Sequence, residues 1–315
     1  MAKFKISDLD LIFITYDEPK ADEFWANLKA KAPWAKRSHG VEGSDACHKA
    51  AANMSDTEFW AQVDGDTIID PEWLNLEIEY DETRNILGWC WKSYNQINGS
   101  TYGNGGVKVW SKKGVLEMKT HENTEETDNP AARIEFCYEG DYYPMHAMYG
   151  TTFPNGSPFQ AWRAGFREGV KLSLDQGRKV KDFRRELWQG NSKHLEIWQS
   201  VGRDVENGLW AIFGARLGTY MTYMTDWDYV NVRDFKYLKN MFDTEVAPKY
   251  AKPDGTFDMV KVDQEARQMA MRLRSLGLEI AELDAANSKF FKKHQYLPSK
   301  LEANTLEKHA LPRFK

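Results

Sequence analysis

Three short apolar runs separated by two helical patterns fill the first 64 residues, and that order restricts the chain to parallel strands joined by crossover helices. LDLIFITY, residues 9–16, reads as a buried strand. Pro19 opens a helix that sets Phe24, Trp25 and Leu28 on one face, and Pro33 closes it. A second strand over residues 35–39 stops at Gly40, and Ser44 is placed to cap an alanine-rich helix that runs to Met54. The third strand, residues 58–63, runs straight into Asp64. Such half-sheets bind ligands at the carboxyl ends of their strands, where Asp17, Gly40 and Asp64 all fall.

The pattern changes after residue 86. ILGWCWKSY alternates Leu87, Trp89 and Trp91, and the glycine-rich YGNGG leads into a strand, VKVW. THENTEETDN, residues 120–129, reads as a polar, acidic surface loop, and a strand resumes over residues 134–138. PNGSP then precedes a helix with Phe159, Trp162, Phe166 and Val170 at helical spacing, and the remainder is mostly helical. The expectation is an α/β fold with a Rossmann-like mixed sheet flanked by helices in residues 1–155. A helical C-terminal region, 156–315, is expected to pack on it and contribute to an acceptor site.

Composition narrows the class. A chain of 315 residues, 42% apolar and 28% charged, can bury a large core. A net charge of −5 rules out a uniformly basic nucleic-acid binder but leaves room for local phosphate-binding patches. Cys47, Cys90 and Cys137 lie too far apart for a metal knuckle and read as free thiols in a reducing compartment. MAKFKISDLD has no apolar signal-peptide core and no stretch holds 18 uninterrupted apolar residues, so a soluble, cytoplasmic protein without a membrane partner is expected. Twelve tryptophans and 13% aromatics leave two readings open, stacking surfaces for sugars or bases and an aromatic-rich core.

VDGDTIID, residues 63–70, carries the chemistry. Asp64 and Asp66, one residue apart at a strand end, have the spacing to hold a hard cation, Mn²⁺ or Mg²⁺, while Gly65 lets a diphosphate approach the backbone. A cation there would offset charge on a departing diphosphate. The same residues also suit a solvated Asp-Gly turn.

DLIFITYDEP, HGVEG, HKAAA and FWAQVDGD, in that order, resemble a group of GT-A glycosyltransferases common in tailed phages. The likeness is strong over residues 8–70 and looser at YGNGGVKVW and SPFQAWRAGFREGVKL; the Asn-x-Gly and Gly-x-Gly-Glu wording usual in inverting GT-A enzymes is missing. The resemblance implies a GT-A-like core that binds a nucleotide diphosphate sugar, a UDP-sugar in preference. It implies base contacts from Thr15, Tyr16, Asp17 and Glu18, ribose or phosphate contacts from His48 and Lys49, and metal and diphosphate binding by Asp64 and Asp66. For His48 and Lys49 a solvated helix face is the competing reading.

Some phage enzymes of this kind resemble glycosyltransferases that decorate hydroxymethylated pyrimidines, which implies double-stranded DNA carrying 5-hydroxymethylcytosine as acceptor, with a glycan or protein hydroxyl as the alternative. KLSLDQGRKVKDFRRELWQGNSKH gathers Lys179, Lys181, Arg184 and Arg185 with Phe183 and Trp188 interleaved, suited to a phosphate backbone or to an exposed basic helix face. Asp141 and Glu168 are the candidate general bases, His146 the candidate third metal ligand, and Arg163 with Arg167, four apart on one helix, a candidate phosphate clamp. Two rivals stand beside this reading. DGDTI also fits the opening of aspartyl-nucleophile phosphatases, although two strand-helix units precede it here. A catalytically silent protein could keep the shell and hold nucleic acid or glycan on Trp89, Trp91 and the basic segment.

Overall fold

The computed structural model describes residues 2–101, 105–120, 131, 134 and 140–307. The expected strand at 134–138 and loop at 120–129 lie outside the described residues apart from their first members; of these, Thr120 and Ile134 are both buried. Cys137 also lies outside them, while Cys47 and Cys90 are not joined in a disulfide.

Strands β1 (Ala2–Lys5) and β2 (Asp10–Thr15) are followed by α1 (Ala21–Lys31), β3 (Lys36–His39), α2 (Ser44–Asn53), β4 (Phe59–Asp64) and β5 (Thr67–Ile69). Next come β6 (Glu77–Tyr80), β7 (Ile86–Asn95), β8 (Val107–Ser111), α3 (Lys112–Glu117) and β9 (Asp141–Thr152). Seven strands form one mixed sheet in the order β3-β2-β4-β8-β7-β9-β5, and β1 with β6 makes a separate antiparallel pair. The expected α/β core is present, with β2, β3 and β4 parallel and β8 antiparallel to β4.

Both faces of the sheet are covered. Leu11 and Phe13 of β2 and Ala61 and Val63 of β4 share a core with Phe24 and Leu28 of α1. Ile12, Trp60 and Trp110 point the other way, against Ala51 and Ala52 of α2 and Val115 of α3. Double coverage explains why these strands read as continuous apolar runs. It also accounts for the tryptophans: Trp60, Trp73, Trp91, Trp110, Trp162 and Trp210 are fully buried. Trp89 is 4% exposed, so Trp89 and Trp91 belong to the core and offer no stacking surface. The expected alternation of Leu87 with Trp89 and Trp91 does not hold, because an irregularity between Ile86 and Gly88 turns Leu87 to the opposite face.

The sheet curls. β4 lies third in the order and β5 at the far edge, paired with β9, yet only Gly65 and Asp66 separate the two in sequence. Glycines make room for the closure: a Cβ on Gly106 would lie 1.9 Å from Thr67 Oγ1, and one on Gly105 would lie 2.2 Å from the Trp91 carbonyl oxygen.

Beyond β9 the chain is helical, as expected: α4 (Pro158–Leu172), a two-residue hairpin of β10 (Leu174–Asp175) and β11 (Arg178–Lys179), α5 (Gln189–Ser200), α6 (Gly208–Met224), α7 (Phe235–Met241), α8 (Met259–Arg274), α9 (Ala285–His294) and α10 (Lys300–Glu307). α4 and α6 meet backbone to backbone, since Cβ atoms on Gly165 and Gly169 would stand 1.9 and 2.1 Å from the carbonyl oxygens of Ala211 and Ala215. α10 packs on the sheet, placing Ala303 in the core beneath β9 and the Lys300 ammonium 2.5 Å from Asp70. None of the helices is long and apolar enough to cross a membrane, among the described residues.

Candidate active site at the carboxyl edge of the sheet

Parallel pairing of β2 with β4, in which Ile14 stands opposite Asp64, brings the loop after β2 and the Asp64-Gly65-Asp66 turn to one edge. The chain leaving β9 reaches the same edge, where the Phe153 amide donates to the Asp66 carbonyl at 2.8 Å. α4 then starts there with Ser157 as its cap, next to Pro19 at the position of Gly156. Its positive N-terminal end and Arg163, one turn inside, therefore confront a concentration of carboxylates. Burial lowers the proton affinity of Arg163, and the charges of Asp17, Glu18 and Asp66 oppose that shift. The Arg163 guanidinium lies over the rings of Phe159 and Phe235, at 5.2 and 5.3 Å, and Arg167 shares Phe235 at 4.5 Å.

The two aspartates differ. Asp64 accepts from Gln62 Nε2 at 2.5 Å through one oxygen and from Lys108 Nζ at 3.0 Å through the other. Burial raises its pKa, yet Lys108 and Gln62 more than offset this and hold it below the ordinary carboxylate range. Asp66 accepts from the Thr67 hydroxyl at 3.2 Å. Burial, then the charges of Asp64 and Glu18, push its pKa up to about 6. Three carboxylates repel one another here, and a divalent cation relieves such repulsion; on that ground the residues fit one. Asp66 and Glu18 would hold it, while Asp64, expected to share it, has its two oxygens on Gln62 and Lys108. No group of three or more His, Cys, Asp or Glu side chains is already arranged as a ligand set among the described residues. His146, the expected third ligand, lies partway along β9 and is not gathered with Asp64 and Asp66 into such a set.

Of the other expected site residues, Tyr16 and Asp17 are exposed at the edge, and Glu18 accepts from the Tyr16 amide at 2.7 Å. Thr15 is buried and takes the Arg37 guanidinium at 3.0 Å and His39 Nδ1 at 2.9 Å, so it shapes the end of β2. Gly65 is closely packed: a Cβ there would meet the Ile14 carbonyl and Thr15 Cγ2 at 2.8 Å. Lys49 pairs with Asp45 at 2.8 Å on α2, and His48 lies under the site, its Nε2 3.4 Å from Gln62 Nε2.

Asp141 is at the wrong end of the sheet. It begins β9 opposite Ile86, by the amino end of β4, and pairs there with Arg84. Glu168 stands beside Lys171, at 3.6 Å, and the α5 residue His194. The basic segment is the β10–β11 hairpin and a run of turns, not a helix face. Lys179, Lys181, Arg184 and Arg185 are exposed on it. Phe183 is core, and Trp188 projects at 63% exposure.

Lys108, Gln62 and Trp110 were not anticipated. A lysine in the middle of VKVW and a glutamine within FWAQV are polar intrusions in buried strands, and such residues need partners. That rule alone could have flagged them. Comparison with models of protein families, with curated proteins and with solved structures finds no match for this chain, so its reading stands on the arrangement of these residues.

Proposed function

We propose that this protein is a metal-dependent glycosyltransferase of the GT-A kind, moving a sugar from a nucleotide diphosphate sugar, a UDP-sugar in preference, to a hydroxyl group. The observation that carries the reading is Asp64-Gly65-Asp66 at the carboxyl end of a central parallel strand, facing Arg163 and the start of α4. Mn²⁺ or Mg²⁺ held by Asp66 and Glu18 would act as a Lewis acid on the diphosphate. Lys108 and Arg163 add positive charge on either side of the aspartates, matched to the diphosphate that leaves. In the transfer the acceptor oxygen bonds to the anomeric carbon, the bond from that carbon to the phosphate oxygen breaks, and the hydroxyl proton passes to a base or to solvent.

For the acceptor we propose 5-hydroxymethylcytosine in DNA. Its support is the exposure of Lys179, Lys181, Arg184 and Arg185 in one short segment, with Trp188 exposed three residues further along the chain, residue types suited to phosphate tracking and ring stacking. UDP-, GDP- and CMP-linked sugars, offered with Mn²⁺ or with EDTA, test both parts through nucleotide release. Metal-dependent release that rises with hydroxymethylcytosine DNA is the expected result. Release indifferent to that DNA sinks the acceptor, and no release from any donor sinks the transferase.

A further inference from the structure

Beneath Asp64 runs a chain of hydrogen bonds whose directions are fixed by chemistry. The Trp110 indole nitrogen can only donate, and it stands 2.7 Å from Gln62 Oε1, so that atom must be the amide oxygen. Gln62 Nε2 therefore faces Asp64 Oδ1, which as a carboxylate can only accept. The second amide proton faces His48 Nε2, at 3.4 Å. At the far end His48 Nδ1 lies 2.7 Å from the Ser44 carbonyl, another pure acceptor. The ring must then carry its proton on Nδ1 and present a lone pair at Nε2. Every member of the chain has one role available, and the roles agree from Ser44 to Asp64. Gln62 and Trp110 are 1% exposed, so water does not compete with them.

We infer that Gln62, locked by Trp110 and His48, is the positioning residue of this site: its amide fixes the carboxylate plane of Asp64, and Asp64 in turn holds Lys108, the cation that meets the donor's nucleotide diphosphate, in one orientation. The inference rests on the transferase reading. Gln62 touches no ligand itself. Its effect passes through Asp64, whose second oxygen it leaves to Lys108. Turning the amide over would set its oxygen against the carboxylate, and the Trp110 donor is what forbids that. The same logic gives His48, at the half-buried far end of the relay, a supporting part in place of the ribose or phosphate contact implied by resemblance.

Two measurements on the full chain test this. Long-range ¹⁵N–¹H correlation spectra of the wild type are expected to show His48 neutral with the proton on Nδ1; an Nε2-protonated or doubly protonated ring overturns the relay. Binding of UDP with Mn²⁺ is then compared in Trp110→Phe, Gln62→Leu and the double variant. Each single change is expected to weaken UDP roughly tenfold, equivalent to about 1.4 kcal/mol and to the loss of one charge-assisted hydrogen bond. The double variant is expected to lose no more than Gln62→Leu alone, because both changes cut one relay. Wild-type affinity in a Trp110→Phe protein with only a lowered melting temperature, or additive losses, would reduce the chain to packing and overturn the proposal. A wild type that binds no nucleotide diphosphate would sink the transferase reading and the role given to Gln62 with it, a result distinct from wild-type binding that the variants leave untouched.

Discussion

A carboxyl group pressed between two others gives up its proton late, and Asp66 is in that position. Its folded pKa, about 6, lies above the ordinary 3.8, so the folded chain holds this proton more tightly than the unfolded one. Stability from this group is complete below about pH 4 and falls as pH rises through 6, by up to about 3 kcal/mol less whatever solvent screens. Asp66→Asn is therefore expected to melt higher than the wild type at pH 8 and at the same temperature near pH 4. Mn²⁺ should raise the wild-type melting temperature at pH 8 and leave the variant unmoved. Scanning calorimetry at the two pH values, with and without the ion, checks both. Gly65→Ala is expected to cost about 1–3 kcal/mol in urea denaturation, since its Cβ has nowhere to go between Ile14 and Thr15. The aspartate pair was legible because two carboxylates ending an apolar run stand out. Its partners were not, because Gln62, Lys108 and Trp110 join it across strand pairings that one sequence does not declare.

Elements were read well where periodicity was strong, as in α1, β2, β4 and α4, and misread where a local irregularity decided the outcome. The cations of the segment after α4 leave an exposed helix face as one of its readings. Gln176 and Gly177, with φ of 45° and 74°, instead close a tight hairpin, for which consecutive left-handed residues are the requirement. The Gln-Gly pair was the available signal. If DNA is the acceptor as proposed, four cations on exposed hairpin and turns would act on its phosphate backbone through charge, so replacing Arg184 and Arg185 with glutamine should flatten the salt dependence of DNA binding by about two units of logarithmic slope. Fluorescence anisotropy across a salt series measures it, and an unchanged slope removes the segment from the interface. The α4–α6 contact carries a different expectation. Gly165→Val would push against the Ala211 carbonyl and force two helices apart, at a cost of about 3 kcal/mol or more in the unfolding free energy.

For the whole molecule, the change to a helical pattern after β9 is visible in the sequence, whereas the place where the last helix docks is not. α10 is short and only moderately apolar, and nothing in KLEANTLE says that Ala303 belongs beneath β9. Ala303→Asp would bury a charge in that core, so hydrogen exchange should quicken across α10 and β9 together while stability falls by about 2 kcal/mol. Uniform exchange in the variant would mean that α10 lends β9 no protection. The curl of the sheet reaches further still. β4 and β5 are neighbours in sequence, but β5 finds its partner only at the end of β9, where Thr67 stands opposite Thr152 and the Phe153 amide meets Asp66. Closing so distant a pair is slow. Folding intermediates holding just the first strands and helices would thus have Asp64 in place with Asp66 still free, and ion binding would emerge with the last step of refolding.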